Sequence, residues 1–159
     1  MAADEDPQDV VTVPLLPFTG AHDAVRFAGT LAKDRGYAVR LVATHPQIRP
    51  RRPDALVRHA VLRTRAVIDL EAAADLVHEI AGPYVSLELV LVRGSMAACL
   101  EAEADGSSLI AIQDTDDRRH RGAQPFERML QRVPCPVVRV CVDTSHRPDG
   151  STPRLRVSS

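Results

Sequence analysis

Three carboxylates and three guanidiniums, Asp114, Asp116, Asp117, Arg118, Arg119 and Arg121, follow directly on the apolar run Leu109-Ile110-Ala111-Ile112-Gln113. Hard carboxylate oxygens suit a divalent cation, and arginine suits bidentate contact with phosphate. The same residues also read as a solvated loop in which acids and bases balance one another. Gly122 leaves one flexible point before Ala123-Gln124. A second candidate is Gly94-Ser95, at the end of another apolar run, where a tight turn and a helix cap are the simplest roles.

Other chemistries find little support. The six histidines, His22, His45, His59, His78, His120 and His146, show neither HxH nor HExxH spacing, so no metal motif is visible. Ser95, Ser107 and Ser108 lack a G-x-S-x-G elbow, and no hydrolase nucleophile or other catalytic residue is assigned. Cys99, Cys135 and Cys141 are odd in number and fall inside predicted elements, which favours reduced, small apolar residues over disulfides or a redox pair of Cys135 with Cys141.

Global composition narrows the partners. A net charge of −1 offers no general attraction to nucleic acid or an anionic membrane. With 3% aromatic residues and no Trp, base-stacking platforms are not expected either. No run approaches the roughly 20 apolar residues that span a bilayer, and the start Met1-Ala2-Ala3-Asp4-Glu5-Asp6 has no apolar segment of a secretory leader. A cytoplasmic location, with neither nucleic acid nor membrane as partner, is the resulting expectation. Arg49, Arg51 and Arg52 on a proline-rich connector read as solvated, with contact to an acidic partner as the alternative.

The elements that must position these residues follow from periodicity. Val10–Val13 reads as a first strand, apolar without alternation as in a sheet covered on both faces. Ala24, Phe27, Ala28, Leu31 and Ala32 share one face of a helix that Asp23 starts and Gly36 stops. A second strand at Ala38–Ala43 makes this a parallel βαβ unit. Asp54 is the expected N-cap of a long helix with the seam Leu56, Ala60, Arg63, Val67, Leu70, Ala74 and Val77, closed by Gly82-Pro83. A third strand over 85–92 precedes Gly94-Ser95 and a helix through Met96, Ala97, Leu100 and Ala104. The fourth strand is Ser108–Ile112. Phe126, Met129, Leu130 and Val133 define a short helix, and Pro134-Cys135-Pro136 introduces a last strand, Val137–Val142. This order predicts one α/β domain over residues 9–143, a five-stranded parallel sheet with four helices in three α/β/α layers and right-handed crossovers. Residues 1–8 and 144–159 read as flexible tails.

From about residue 10 to 142 the chain resembles the universal stress protein family. The most specific mark is Leu130-x-x-Val133-Pro134-Cys135-Pro136-Val137-Val138-Arg139-Val140, similar to the family's junction of last helix and last strand. Phe27-Ala28-x-x-Leu31-Ala32, Val92-x-Gly94 and Leu109-Ile110-x-Ile112 support it in order and spacing. The resemblance implies strand order 3-2-1-4-5 and a ligand crevice between the first and fourth strands. It also implies a homodimer through the edge of the last strand, here Val137, Val138, Val140 and Val142.

Departures fall on the nucleotide site that the resemblance implies. ATP-binding members carry an Asp after the first strand and a glycine-rich phosphate loop after the fourth. Here Pro14-Leu15-Leu16-Pro17 stands in the first place and Gln113-Asp114-Thr115-Asp116 in the second, with Ala123-Gln124 where the loop's closing Gly-Ser would lie. Glycines allow close approach and turn N–H groups toward the anion, whereas carboxylates repel it.

The expectation is therefore a regulatory or interaction module of stress adaptation, not an enzyme, that does not bind ATP in the usual family mode and acts on a protein partner not identifiable from the sequence. The alternative is a divergent ATP or AMP sensor whose crevice draws on Leu15, Leu16, Gly94, Ser95, Gln113, Asp114, Arg118, Arg119, Gly122 and Gln124.

Overall fold

The computed structural model describes residues 7–16, 21–45, 47, 51, 53–114, 123–141 and 154–158, and side chains for all of these except 114, 123–127, 141 and 154–158. Strand β1 (Val10–Pro14) leads into helix α1 (His22–Arg35), β2 (Ala38–His45), α2 (Ala55–Ala81), β3 (Leu87–Arg93), α3 (Met96–Glu103), β4 (Leu109–Asp114), α4 (Ala123–Arg132), β5 (Val137–Cys141) and β6 (Arg154–Ser158). The sheet order is β3-β2-β1-β4-β5-β6. Strands β1 to β5 are parallel, in the expected order 3-2-1-4-5 with four helices.

β1 lies at the centre because both of its edges are paired, with β2 from Val10↔Ala38 to Pro14↔Val42 and with β4 at Val11↔Leu109 and Thr12↔Ile110. Val11, Thr12 and Val13 have no exposed surface, which explains why the strand reads as continuous rather than alternating. The Thr12 hydroxyl is satisfied by the Ser107 hydroxyl at 2.6 Å, so no polar group of that side chain is stranded. One face of the sheet packs Val11, Val13, Val39 and Leu41 against Val25 and Ala28 of α1 and Leu70, Ala74 and Val77 of α2. The other face packs Ile110 and Ile112 against Leu100 of α3 and Met129 and Leu130 of α4. Arg40 crosses from β2 to both Glu88 on β3 (2.7 Å) and Glu103 on α3 (3.1 Å), tying that edge together.

Gly36 and Ser95 end and start their helices by local chemistry, and Asp54 does not. Gly36 adopts φ 70° and donates its N–H to Ala32, closing α1 as a left-handed cap. The Ser95 hydroxyl accepts the Ala98 N–H at 3.2 Å, the expected cap of α3. Asp54, in contrast, has helical backbone angles and makes no side-chain cap. In the long helix α2 only the second half of the predicted seam is core: Leu70, Ala74 and Val77 are buried, while Leu56, Ala60 and Arg63 face solvent. The side of the first turns that docks carries Ala55 and Ala66, both buried, and at 3.6 residues per turn Leu56, Ala60 and Arg63 fall to one side of it.

β6 was not expected. Residues 144–159 read as a tail because Arg154-Leu155-Arg156-Val157-Ser158 carries only two apolar residues. Antiparallel pairing with β5 matches Leu155 with Val140 and Val157 with Val138. The outer edge of β5, expected to be open to a second copy along Val137, Val138, Val140 and Val142, is thus occupied within the chain. Val142 lies outside the described residues.

Leu41 has no exposed surface and sits between β1 and β3. Leu41→Ala is expected to lower unfolding stability by about 2–5 kcal/mol, measured by urea denaturation.

Candidate functional site

The chain order reverses at β1 and β4, so their carboxyl ends frame the crevice where open parallel sheets take ligands. On the β4 side stands Gln113, half-buried. Its Oε1 accepts the backbone N–H groups of Asp23 (3.1 Å) and Ala24 (3.0 Å), and its Nε2 donates to Asp23 Oδ2 at 3.1 Å. Free N–H groups at a helix start otherwise form a ready anion site. Here a side chain from β4, itself held by the helix's own Asp23, fills that role, so α1 is capped by a residue of β4 rather than by its preceding residue, Ala21, which makes no side-chain cap.

On the β1 side a cleft of about 400 Å³ opens between the end of β1, the start of α1 and the middle of α2. Leu15, Leu16, Ala21, Val25 and Leu76 make its walls apolar, and His22, Arg65 and Asp69 supply its polar groups. These polar groups are engaged with neighbours. Arg65 Nε lies 3.2 Å from Asp69 Oδ1, and His22 Nε2 accepts from Arg26 Nε at 2.9 Å. Such a lining suits a compact, mostly apolar group with a few polar atoms. It offers a triphosphate little cationic complement among the described residues.

A third cluster lies at the ends of β2 and β3. His45 is 7% exposed and its Nδ1 has no hydrogen-bond partner. Its ring stands edge-on to His59 of α2, centroids 4.9 Å apart, and His59 Nε2 is 3.4 Å from Arg93 Nη2. Burial is the main cause that holds the His45 pKa below 6.5, and His59, Arg63 and Arg93 add to it. Gly94 donates its N–H to the His45 carbonyl at 3.0 Å with φ 133°, a backbone state that only glycine adopts without strain.

The residues singled out from sequence are therefore only partly brought together. Leu15 and Leu16 line the cleft, and Gln113 reaches from β4 to the first turn of α1, which borders it. Gly94 and Ser95 belong to the separate β3–α3 turn. Asp114 ends β4 and Gln124 lies in α4, both without described side chains, while Arg118, Arg119 and Gly122 lie outside the described residues, as do Asp116, Asp117 and Arg121. Burial raises the thiol pKa values of Cys99 and Cys135, in keeping with inert apolar packing. The side chain of Cys141 is not described. Sequence reasoning missed His22, Arg65, Asp69 and His45. The Arg65/Asp69 spacing of four residues on a helix was the one visible signal.

Two outcomes follow. Gln113→Ala strands two amides of α1 and is expected to cost about 1–2 kcal/mol, seen in urea denaturation. His45 is kept neutral by the fold and takes up a proton more readily once unfolded. Its contribution to stability is therefore complete above about pH 6.5 and declines as pH falls below that value toward its lowered folded pKa. Comparing thermal unfolding of the wild type and His45→Gln from neutral to acid pH isolates this contribution, and the variant should show the shallower acid loss.

Comparison with known proteins gives a consistent family. Residues 9–140 match the universal stress protein family. No curated protein matches the sequence. Among solved structures, a universal stress protein family member from Burkholderia pseudomallei is similar, with 24% identity and TM-score 0.63, covering 84% of this chain and 96% of that one. UspA from Lactobacillus plantarum has 18% identity and TM-score 0.64, covering 82% and 96%. A family protein from Arabidopsis thaliana, solved with AMP bound, has 15% identity and TM-score 0.58, covering 89% and 96%. With the family match extending from the start of β1 almost to the end of β5, the chain belongs to the universal stress protein family.

Proposed function

We propose that this chain is a regulatory or interaction module of stress adaptation whose crevice does not take ATP in the manner of the family's nucleotide-binding members. The observation that carries this reading is Gln113, whose carbonyl accepts the first amides of α1 at the switch point. A helix start already paired this way has less to offer a phosphate. Two further features support it: Arg65 is paired with Asp69 in the adjoining cleft, and Asp114 follows Gln113 where a glycine would let a phosphate approach. We assign no catalytic step, and the role we infer is binding to a protein partner. Homodimerisation through β5 would require β6 to leave that edge.

A second reading, a divergent adenine-nucleotide sensor, is favoured by the AMP-bound Arabidopsis relative. It would rest on Arg118 and Arg119 holding phosphate in place of the glycine loop.

Thermal unfolding with and without millimolar ATP, AMP and Mg²⁺ separates the two. A ligand present at about 100 times its Kd adds roughly 2.7 kcal/mol to the stability of a native state that alone binds it. The expected result is no shift. A rise in Tm that Arg118→Ala/Arg119→Ala abolishes would overturn the non-binding reading and make the chain a nucleotide sensor.

A further inference from the structure

The first half of α2 carries an inverted pattern. Between Ala55 and Ala66 none of its residues is buried, and its large apolar side chains point outward: Leu56 is 84% exposed, Val57 66%, Val61 60% and, two turns on, Ile68 53%. At 3.6 residues per turn these four, with Ala60 and Thr64, fall within an arc of about 140° and a length of about 18 Å. That arc lies on the side away from the buried Ala55 and Ala66 and contains no charge. Arginines stand at both of its borders, Arg58 and Arg65 on one side and Arg63 on the other. Arg58 and Arg63 form no ion pair among the described residues.

Charge decides what fits this face. The chain as a whole has net charge −1, yet from Ala55 to Asp69 the helix holds three arginines (58, 63 and 65) against one carboxylate, Asp69, which pairs with Arg65. A second copy is disfavoured, since helices packed face to face in either direction would set these arginine borders against each other. The occupant must be acidic. It must also approach from one plane, because the back of the helix is already docked against the domain, which prevents a groove from closing around it. No helix among the described residues is long and apolar enough to cross a membrane, so contact with a bilayer would be peripheral.

We propose that the outer half of α2 is a docking face for an anionic lipid surface, with Leu56, Val57, Val61 and Ile68 seated at the level of the acyl boundary and Arg58 and Arg63 at the headgroup phosphates. The net charge, which argued against a membrane partner, conceals this local excess.

The test is sedimentation of the full chain with vesicles of phosphatidylcholine containing about one-third phosphatidylglycerol, beside pure phosphatidylcholine vesicles. The protein is expected to pellet with the anionic vesicles only, and less in high salt. Arg58→Glu/Arg63→Glu should reduce the bound fraction at least about tenfold. Val57→Ser/Val61→Ser should also reduce it, and both double variants should keep the wild-type Tm because the changed side chains are outside the core. The chain has no Trp, so Val61→Trp adds a single emitter whose spectrum should shift to the blue on anionic vesicles. No pelleting at low salt would overturn the proposal. So would pelleting that Val57→Ser/Val61→Ser leaves unchanged, which would mean charge adsorption alone. If vesicles leave the Val61→Trp emission unmoved while a synthetic leucine-seam helix flanked by glutamates shifts it, the face belongs to an acidic protein helix and the lipid assignment falls.

Discussion

The structure depends on one constraint: β1 is enclosed on both faces and both edges. Val11, Thr12 and Val13 have no contact with solvent, so every polar group there must find a partner within the chain. The backbone does so through β2 and β4, and the Thr12 hydroxyl through Ser107. Because the two neighbours belong to opposite halves of the chain order, the connections leaving β1 and β4 diverge to opposite faces. The crevice they leave is a consequence of topology and exists whatever residues line it.

What lines it decides its chemistry. Gln113 reaches from β4 to the first amides of α1, which turns a potential anion site into an internal tie between sheet and helix. The neighbouring cleft follows the same economy, with its arginine engaged by an aspartate one helical turn away. At the ends of β2 and β3 the balance is different. His45 is enclosed beside His59, Arg63 and Arg93, a group of basic side chains that is compatible with burial only while the imidazole is neutral.

The two outer features of the fold reflect helices and strands that extend past what the core requires. The first half of α2 is buried only along the side of Ala55 and Ala66, so Leu56, Val57 and Val61 on the other side reach solvent. β6 adds an antiparallel strand to a parallel sheet and covers the edge of β5. An exposed apolar edge invites pairing with other chains. Within this chain a short strand with alternating arginines fills that place.

The order of elements through β5, the parallel sheet and the core face of α1, with Met129 and Leu130 of α4, were legible in the sequence, because β-branched runs and 3.6-residue spacing respond to burial that is local in origin. Ser95 as a cap was legible for the same reason, being a contact across three residues. The family marks at Leu130–Val140 likewise lie in one continuous stretch. The first half of α2 misled, since Leu56, Ala60 and Arg63 continue a seam that lies to one side of Ala55 and Ala66, where this half of the helix is buried. Periodicity reports which residues share a face and is silent on whether anything covers it. Gln113 and Asp23 are 90 residues apart, and Val140 pairs with Leu155 through register alone. Such contacts arise when strands from distant parts of the chain are laid side by side. The sequence by itself determined the scaffold; only tertiary structure decided that the helix start at its crevice is closed by a glutamine and that a face of α2 is left bare.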